Sequence, residues 1–131
     1  MNRLNTLARR LFQATAMGVL LSFCGAPHAA MVNLETTIVR TLIADGGRAG
    51  GCMALTTTVL ATVGLDCPSQ WVTFSCAGPV GGLVFTTKDI AYRMYESAQL
   101  ALVLDKRVML RVDDEKKHGG FCYANRIDLI K

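Results

Sequence analysis

Histidine is nearly absent from this 131-residue chain: His28 and His118 are the only two. Nucleophilic catalysis of the Ser–His or Cys–His kind needs a base held beside the nucleophile. His118 would have to serve, yet its neighbours Lys116, Lys117, Gly119 and Gly120 are turn residues. No two cysteines stand in Cys-x-x-Cys spacing, which zinc and redox centres commonly use. The glycine runs at 46–51 and 77–82 lack the spacing and the lysine of a phosphate cradle, and no dinucleotide fingerprint occurs. The main apolar run, ATAMGVLLSF at 14–23, is well short of the roughly 18 residues that a spanning helix needs. These absences point away from an enzyme. No catalytic residue, metal or cofactor is expected.

What is present begins with a leader. Arg3, Arg9 and Arg10 give a positive start without an acidic residue, the apolar run follows, and small residues close it in CGAPHAA at 24–30. That order is the pattern of a secretory signal peptide, with cleavage expected after Ala29 or Ala30. LSFC, ending at Cys24, loosely resembles a lipid-attachment box, with the bulky Phe23 in place of a small residue. The whole chain has 14 basic and 10 acidic residues, net +4. Taking away the leader's three arginines leaves 11 against 10. The apparent basicity belongs to targeting, and a nucleic-acid partner, which would call for a strong basic surplus on the fold, is not expected. Nor is an integral membrane segment once the leader is removed. The expected location is periplasmic or secreted.

Cys52, Cys67, Cys76 and Cys122 remain after the leader. An even count in a short exported chain argues for two disulfides over a zinc site. Residues 31–131 are long enough for one modest domain.

The periodicity predicts three strands, a helix, then two strands. VNLETTIVRTLIA, 32–44, alternates as one long strand. CMALTTTVLA, 52–61, is a second and WVTFSC, 71–76, a third, with glycine- or proline-bearing breaks between them. TTKDIAYRMYESAQLALVLD, 86–105, reads as a helix with Thr87 as N-cap and an apolar stripe of Ile90, Met94, Ala98, Ala101 and Leu102. RVMLRVDD, 107–114, and FCYANRIDLI, 121–130, are the last strands, joined by a turn over EKKHGG. The fold class is mainly β with one helix, in the order β-β-β-α-β-β of a five-stranded OB-fold-like barrel. In that topology the antiparallel hairpin of strands two and three sets Cys52 near Cys76. Parallel strands three and five would set Cys67 near Cys122. The expected bridges are Cys52–Cys76 and Cys67–Cys122.

Asp113, Asp114, Glu115 and His118 could hold a cation by composition. Consecutive strand residues point to opposite faces, however, so Asp113 and Asp114 do not readily converge, and Lys116 and Lys117 compete for them. A solvated turn accounts for the same residues. It would lie at one end of the barrel, where OB-folds often place ligand-contacting loops. This makes Asp113, Asp114 and His118 candidate contacts, with Trp71 and Tyr123 as candidate stacking platforms for a sugar.

With its cysteine opening strand two, an aromatic-containing third strand and one central helix, the chain resembles the B subunits of AB5-type bacterial toxins. The resemblance is architectural and covers 32–131. It implies an OB-fold, a glycan ligand and a homo-oligomeric ring, with the helices around a central pore. The tail from Gln99 onward, QLALVLDKRVMLRVDDEKKHGGFCYANRIDLI, also resembles a group of uncharacterised small exported bacterial proteins. The expected function is a non-enzymatic module binding a glycan or a protein. The alternative is an envelope interaction or inhibitor protein.

Overall fold

A computed structural model describes residues 31–131. The leader assigned to residues 1–30, with Cys24, lies outside them. The described chain forms strand β1 (Met31–Ile43), β2 (Cys52–Thr56), β3 (Trp71–Thr73), helix α1 (Lys88–Val103), β4 (Arg107–His118) and β5 (Phe121–Leu129). The strands close into a barrel in the order β1-β2-β3-β5-β4, so the OB-fold-like order read from the sequence is the observed one.

β1 is long because it serves two partners. Met31–Thr37 pair antiparallel with β4, and Ile38–Ile43 pair with β2 across a bulge between Ile38 and Arg40. A bulge bends a strand and raises its twist, which lets one strand turn the barrel corner. Leu34, Thr36 and Ile38 are buried at alternate positions, the period expected of a strand with one covered face. Threonine hydroxyls fill in where β2 leaves β1. Thr57 Oγ1 lies 3.1 Å from Thr36 Oγ1 and 3.0 Å from Thr37 Oγ1, and Thr36 Oγ1 accepts from the Thr58 amide at 3.3 Å.

The second strand is shorter than the 52–61 reading. It stops at Thr56, whose hydroxyl donates to the carbonyls of Thr58 and Gln70. The chain then enters a short 3-10 turn, Leu60–Val63, with Leu60 buried. The third strand is paired only over Trp71–Thr73, because Ser75 takes a left-handed φ of 62°. β3 and β5 close the barrel in parallel, Val72 beside Cys122 and Thr73 beside Tyr123.

Thr87 caps α1 by accepting the Ile90 amide at 3.3 Å. An N-cap of this kind typically contributes about 1 kcal/mol. The buried face is Ala91, Met94, Tyr95, Ala98 and Ala101, so the stripe is rotated from the expected one. Ile90 is 49% exposed, and Ala91 and Tyr95 face inward instead. Three alanines on that face let the helix lie close against β1 and β5. Phe74, Leu60, Val72, Val108, Leu110 and Val112 are the large fully buried side chains of the interior.

The two disulfides are Cys52–Cys76 and Cys67–Cys122, with Cα separations of 5.5 and 5.8 Å. They fit an oxidising, extracytoplasmic compartment. Among the described residues, no helix is long and apolar enough to cross a membrane.

Candidate functional site

The stretch Arg111–Cys122 is no solvated turn. β4 continues to His118, which pairs with Phe121, and the connection is Gly119–Gly120 alone. Their φ values of 61° and 89° suit the two-residue hairpin turn that needs positive φ at both central positions. A Cβ at Gly119 would also lie 2.7 Å from the Ala49 amide nitrogen. The polar run DDEKK is accommodated higher up, in a bulge. Asp113 faces Tyr123 and Lys117 faces Cys122, so residues 114–116 have no partner on β5.

Asp113 and Asp114 hold that bulge in place. Asp113 Oδ1 accepts from the amides of Glu115 at 3.0 Å and Lys116 at 3.2 Å. Asp114 Oδ2 accepts from the Asp66 amide at 2.9 Å, and Lys117 Nζ lies 3.0 Å from Asp66 Oδ2. The bulge is thus fastened to the loop that carries Cys67. Both aspartates are buried, and they bond in different directions. Among the described residues, no group of three or more His, Cys, Asp or Glu side chains is placed to hold a metal ion.

His118 is 7% exposed. Its Nδ1 lies 2.9 Å from Ser75 Oγ, and the Phe85 ring meets it edge-on with centroids 6.4 Å apart. Ser75 is the functional-type residue that sequence reasoning missed. Its amide donates to Thr73 Oγ1 at 3.1 Å, and the Thr73 hydroxyl donates to the Cys52 carbonyl at 3.4 Å. Gly50, ending the 3-10 segment Asp45–Gly50, lies over this group. A Cβ there would run into Thr73 Oγ1 and come within 3.2 Å of the imidazole Cγ. Burial lowers the pKa of His118 and favours the neutral ring.

A serine hydroxyl on an imidazole is the pairing from which nucleophiles are activated. Here Ser75 is 2% exposed, and Gly50 packs against its partners Thr73 and His118. In this arrangement the pair ties the end of β3 to the end of β4, beside the Cys52–Cys76 bridge. Tyr123 is the next member of the cluster. It is 2% exposed, and its ring lies 5.2 Å from that of Phe85. Its pKa is raised, first by burial and then by the Asp113 charge, against a lowering hydrogen bond from Thr86.

The candidate residues therefore divide. His118, Tyr123 and Asp113 converge with Ser75, Thr73 and Phe85 in a buried outer cluster at one end of the barrel. Asp114 turns away to the Asp66 loop. Trp71 stands apart, half-buried and paired with Leu55, and of the two proposed sugar platforms it is the one that is not fully buried. Compared with known proteins, the chain matches no family model, no curated protein and no solved structure. The class that fold and site define is a disulfide-linked, five-stranded OB-fold-like barrel with a buried polar lock.

Proposed function

We propose that this protein is an exported, non-enzymatic binding module that recognises a glycan or a protein partner with the outer face and loops of a rigid barrel. The observation that supports this is the use made of the chemistry-bearing side chains. Ser75, His118, Asp113 and Asp114 are buried in hydrogen bonds to the barrel's own groups. Two disulfides and a closed barrel suit a scaffold that presents a fixed surface, since a rigid surface loses less entropy on binding. In its toxin-like form the module assembles as a homo-oligomeric ring on a host glycan. A glycan array read with the purified protein, alongside its mass by light scattering, tests both parts. A bound glycan and a ring-sized mass are expected. An empty array with a monomer in solution removes the toxin-like form.

A second reading, an envelope interaction or inhibitor protein, has one observation in its favour. Val80 and Leu83 exchange two backbone hydrogen bonds of 2.8 Å around Gly81–Gly82. The braced tip leaves Leu83 and Val84 each 67% exposed. A stiff loop with apolar residues at its end suits insertion into a protein cleft. Pull-down with the wild type and with a Leu83→Ser, Val84→Ser variant separates this from the glycan reading, because only a protein captured through the tip is lost by the variant.

A further inference from the structure

Arg111 of β4 and Arg126 of β5 are direct cross-strand partners, and both are exposed on the outer face of the barrel. Like charges directly opposite one another destabilise a strand pair, whose Cβ atoms stand about 5 Å apart. The nearby cations are matched: Arg107 to Glu35, Lys116 to Asp113 and Lys117 to Asp66. Arg126 is braced from one side, with Nε 2.8 Å from Asp128 Oδ2. A guanidinium held through Nε still has its terminal nitrogens to donate. The Arg111 side chain makes no ion pair or hydrogen bond with the described residues.

The surroundings are shaped as well as charged. Val112 faces Ala124 and Arg111 faces Arg126, so Asn125 is the extra residue of a bulge between the two pairs. Bulges re-aim neighbouring side chains and are over-represented beside functional sites. On the other side of Arg111, its β1 partner is the exposed Asn33, whose amide can both donate and accept. The row therefore offers one uncompensated cation beyond its ion pairs, a second guanidinium within reach of the same group, and an amide at the edge. One anionic group with hydroxyls around it matches that set. A polyanion would need more free cations than the row supplies.

We propose that Arg111 and Arg126 clamp a single oxyanion, a carboxylate or sulfate borne on a sugar chain, with Asn33 taking a neighbouring hydroxyl. An anion between the two guanidinium groups converts their repulsion into two charge-assisted hydrogen bonds. This rests on the binding-module reading and names the ligand class for one face of it.

The test is an amide NMR titration of the purified protein at constant ionic strength with four probes: methyl glucuronide, methyl glucoside, acetate and a glutamate-bearing peptide. Glucuronide should shift amides around 110–112 and 125–127 and bind at least about tenfold more tightly than acetate or glucoside, a factor worth one decade of the dissociation constant. Arg111→Ala should weaken glucuronide by roughly tenfold or more, as expected for loss of a hydrogen bond to a charged group. Arg111→Lys should recover part of this, since lysine keeps the charge and loses the fork. The melting temperature of Arg111→Ala should hold or rise, because a like-charge pair is gone. Glucuronide binding no tighter than acetate, shifts confined to other residues, or unchanged affinity in Arg111→Ala would each overturn the site. A peptide that shifts the same amides more tightly than glucuronide overturns the sugar assignment. A glycan captured on the array with equal affinity by wild type and Arg111→Ala removes this site and leaves the binding-module reading standing.

Discussion

Replacing Cys67 and Cys122 together by alanine should cost about 4 kcal/mol of stability. The two residues are 55 apart in sequence. In the chain-entropy account a cross-link stabilises by restricting the unfolded chain, and a loop of that length gives about 4 kcal/mol at 25 °C, against about 3.5 for the 24-residue separation of Cys52 and Cys76. For a domain of about 100 residues, 1 kcal/mol moves the melting temperature by roughly 4–8 °C. A fall of about 20 °C is therefore expected. Other contacts also hold this loop: the Asp66 amide to Asp114 and the Asp66–Lys117 pair. They act only in the folded state. They leave the unfolded ensemble as free as before, so they do not replace the cross-link. Urea unfolding followed by far-ultraviolet circular dichroism, with wild type and variant at one pH, reads the difference directly. A loss below about 1 kcal/mol, with an unchanged urea dependence, would refute the reasoning, because it would mean that the Asp66 contacts and barrel packing dominate the tie.

Three further outcomes follow from the buried cluster and its glycine cover. His118 has a lowered pKa in the folded state, so the unfolded chain binds the proton more readily. Stability should be full above the unfolded value of about 6.5 and decline as pH falls through it; urea midpoints at pH 7.5, 6.5 and 5.5 should show this in wild type and a flatter profile in His118→Gln. Gly50→Ala should destabilise by more than Gly64→Ala, which costs about 1–2 kcal/mol for placing a Cβ at left-handed φ, because both glycines have positive φ but only Gly50 meets neighbours, Thr73 and His118; equal losses would show that the segment can move away. Ser75→Ala should cost about 1–3 kcal/mol by leaving His118 Nδ1 unpaired, and Ser75→Gly should cost less, since glycine relieves the left-handed backbone at this position; thermal melts of the pair decide the order.

The legible parts of this fold were those written in local alternation. Leu34, Thr36 and Ile38, and later Val108, Leu110 and Val112, carry a period of two over lengths that nothing else explains. Once the strand order is set, the cysteine pairing follows from simple geometry: antiparallel strands two and three bring the start of one to the end of the other, and parallel strands three and five bring their starts together. The expected helix stripe holds at Met94, Ala98 and Ala101 and fails at Ile90, whose place is taken by Ala91. Ile90 outweighs Ala91 in hydrophobicity, but close packing against β1 and β5 favours the smaller side chain. His118 was misplaced for a different reason. Its neighbours are lysines and glycines, the usual marks of a turn, and the bulge that lets β4 run on to His118 is held by the two aspartates and by the distant Asp66 loop. Nothing within residues 113–118 reveals that fastening. Ser75 carried less signal still. As the alternate of Val72 and Phe74 it belongs on the outer face, yet it is buried, and its hydroxyl partner is His118, 43 residues later in the chain.

The same contrast bears on function. A small disulfide-linked barrel can use its ionisable and hydroxyl groups inside, to fasten an end that backbone pairing leaves open, or outside, to meet a partner. β3 has only three paired residues, so this barrel has a weak seam; Ser75, His118 and Asp113 gather at that end, and Asp114 fastens the neighbouring Asp66 loop. Residues that look like a site in the sequence are therefore the ones least free to act as one. On the proposed binding reading, the surface left for a partner is made by side chains whose positions cost the fold something and return nothing visible to it: Arg111 set against Arg126, and Leu83 and Val84 lifted on a braced tip. Those features are invisible to motif reading, because an arginine in a strand or a leucine in a loop is ordinary by itself. Only the strand register makes the first pair unfavourable, and only exposure sets the second apart, which is why binding is better sought on these two surfaces than around the histidine.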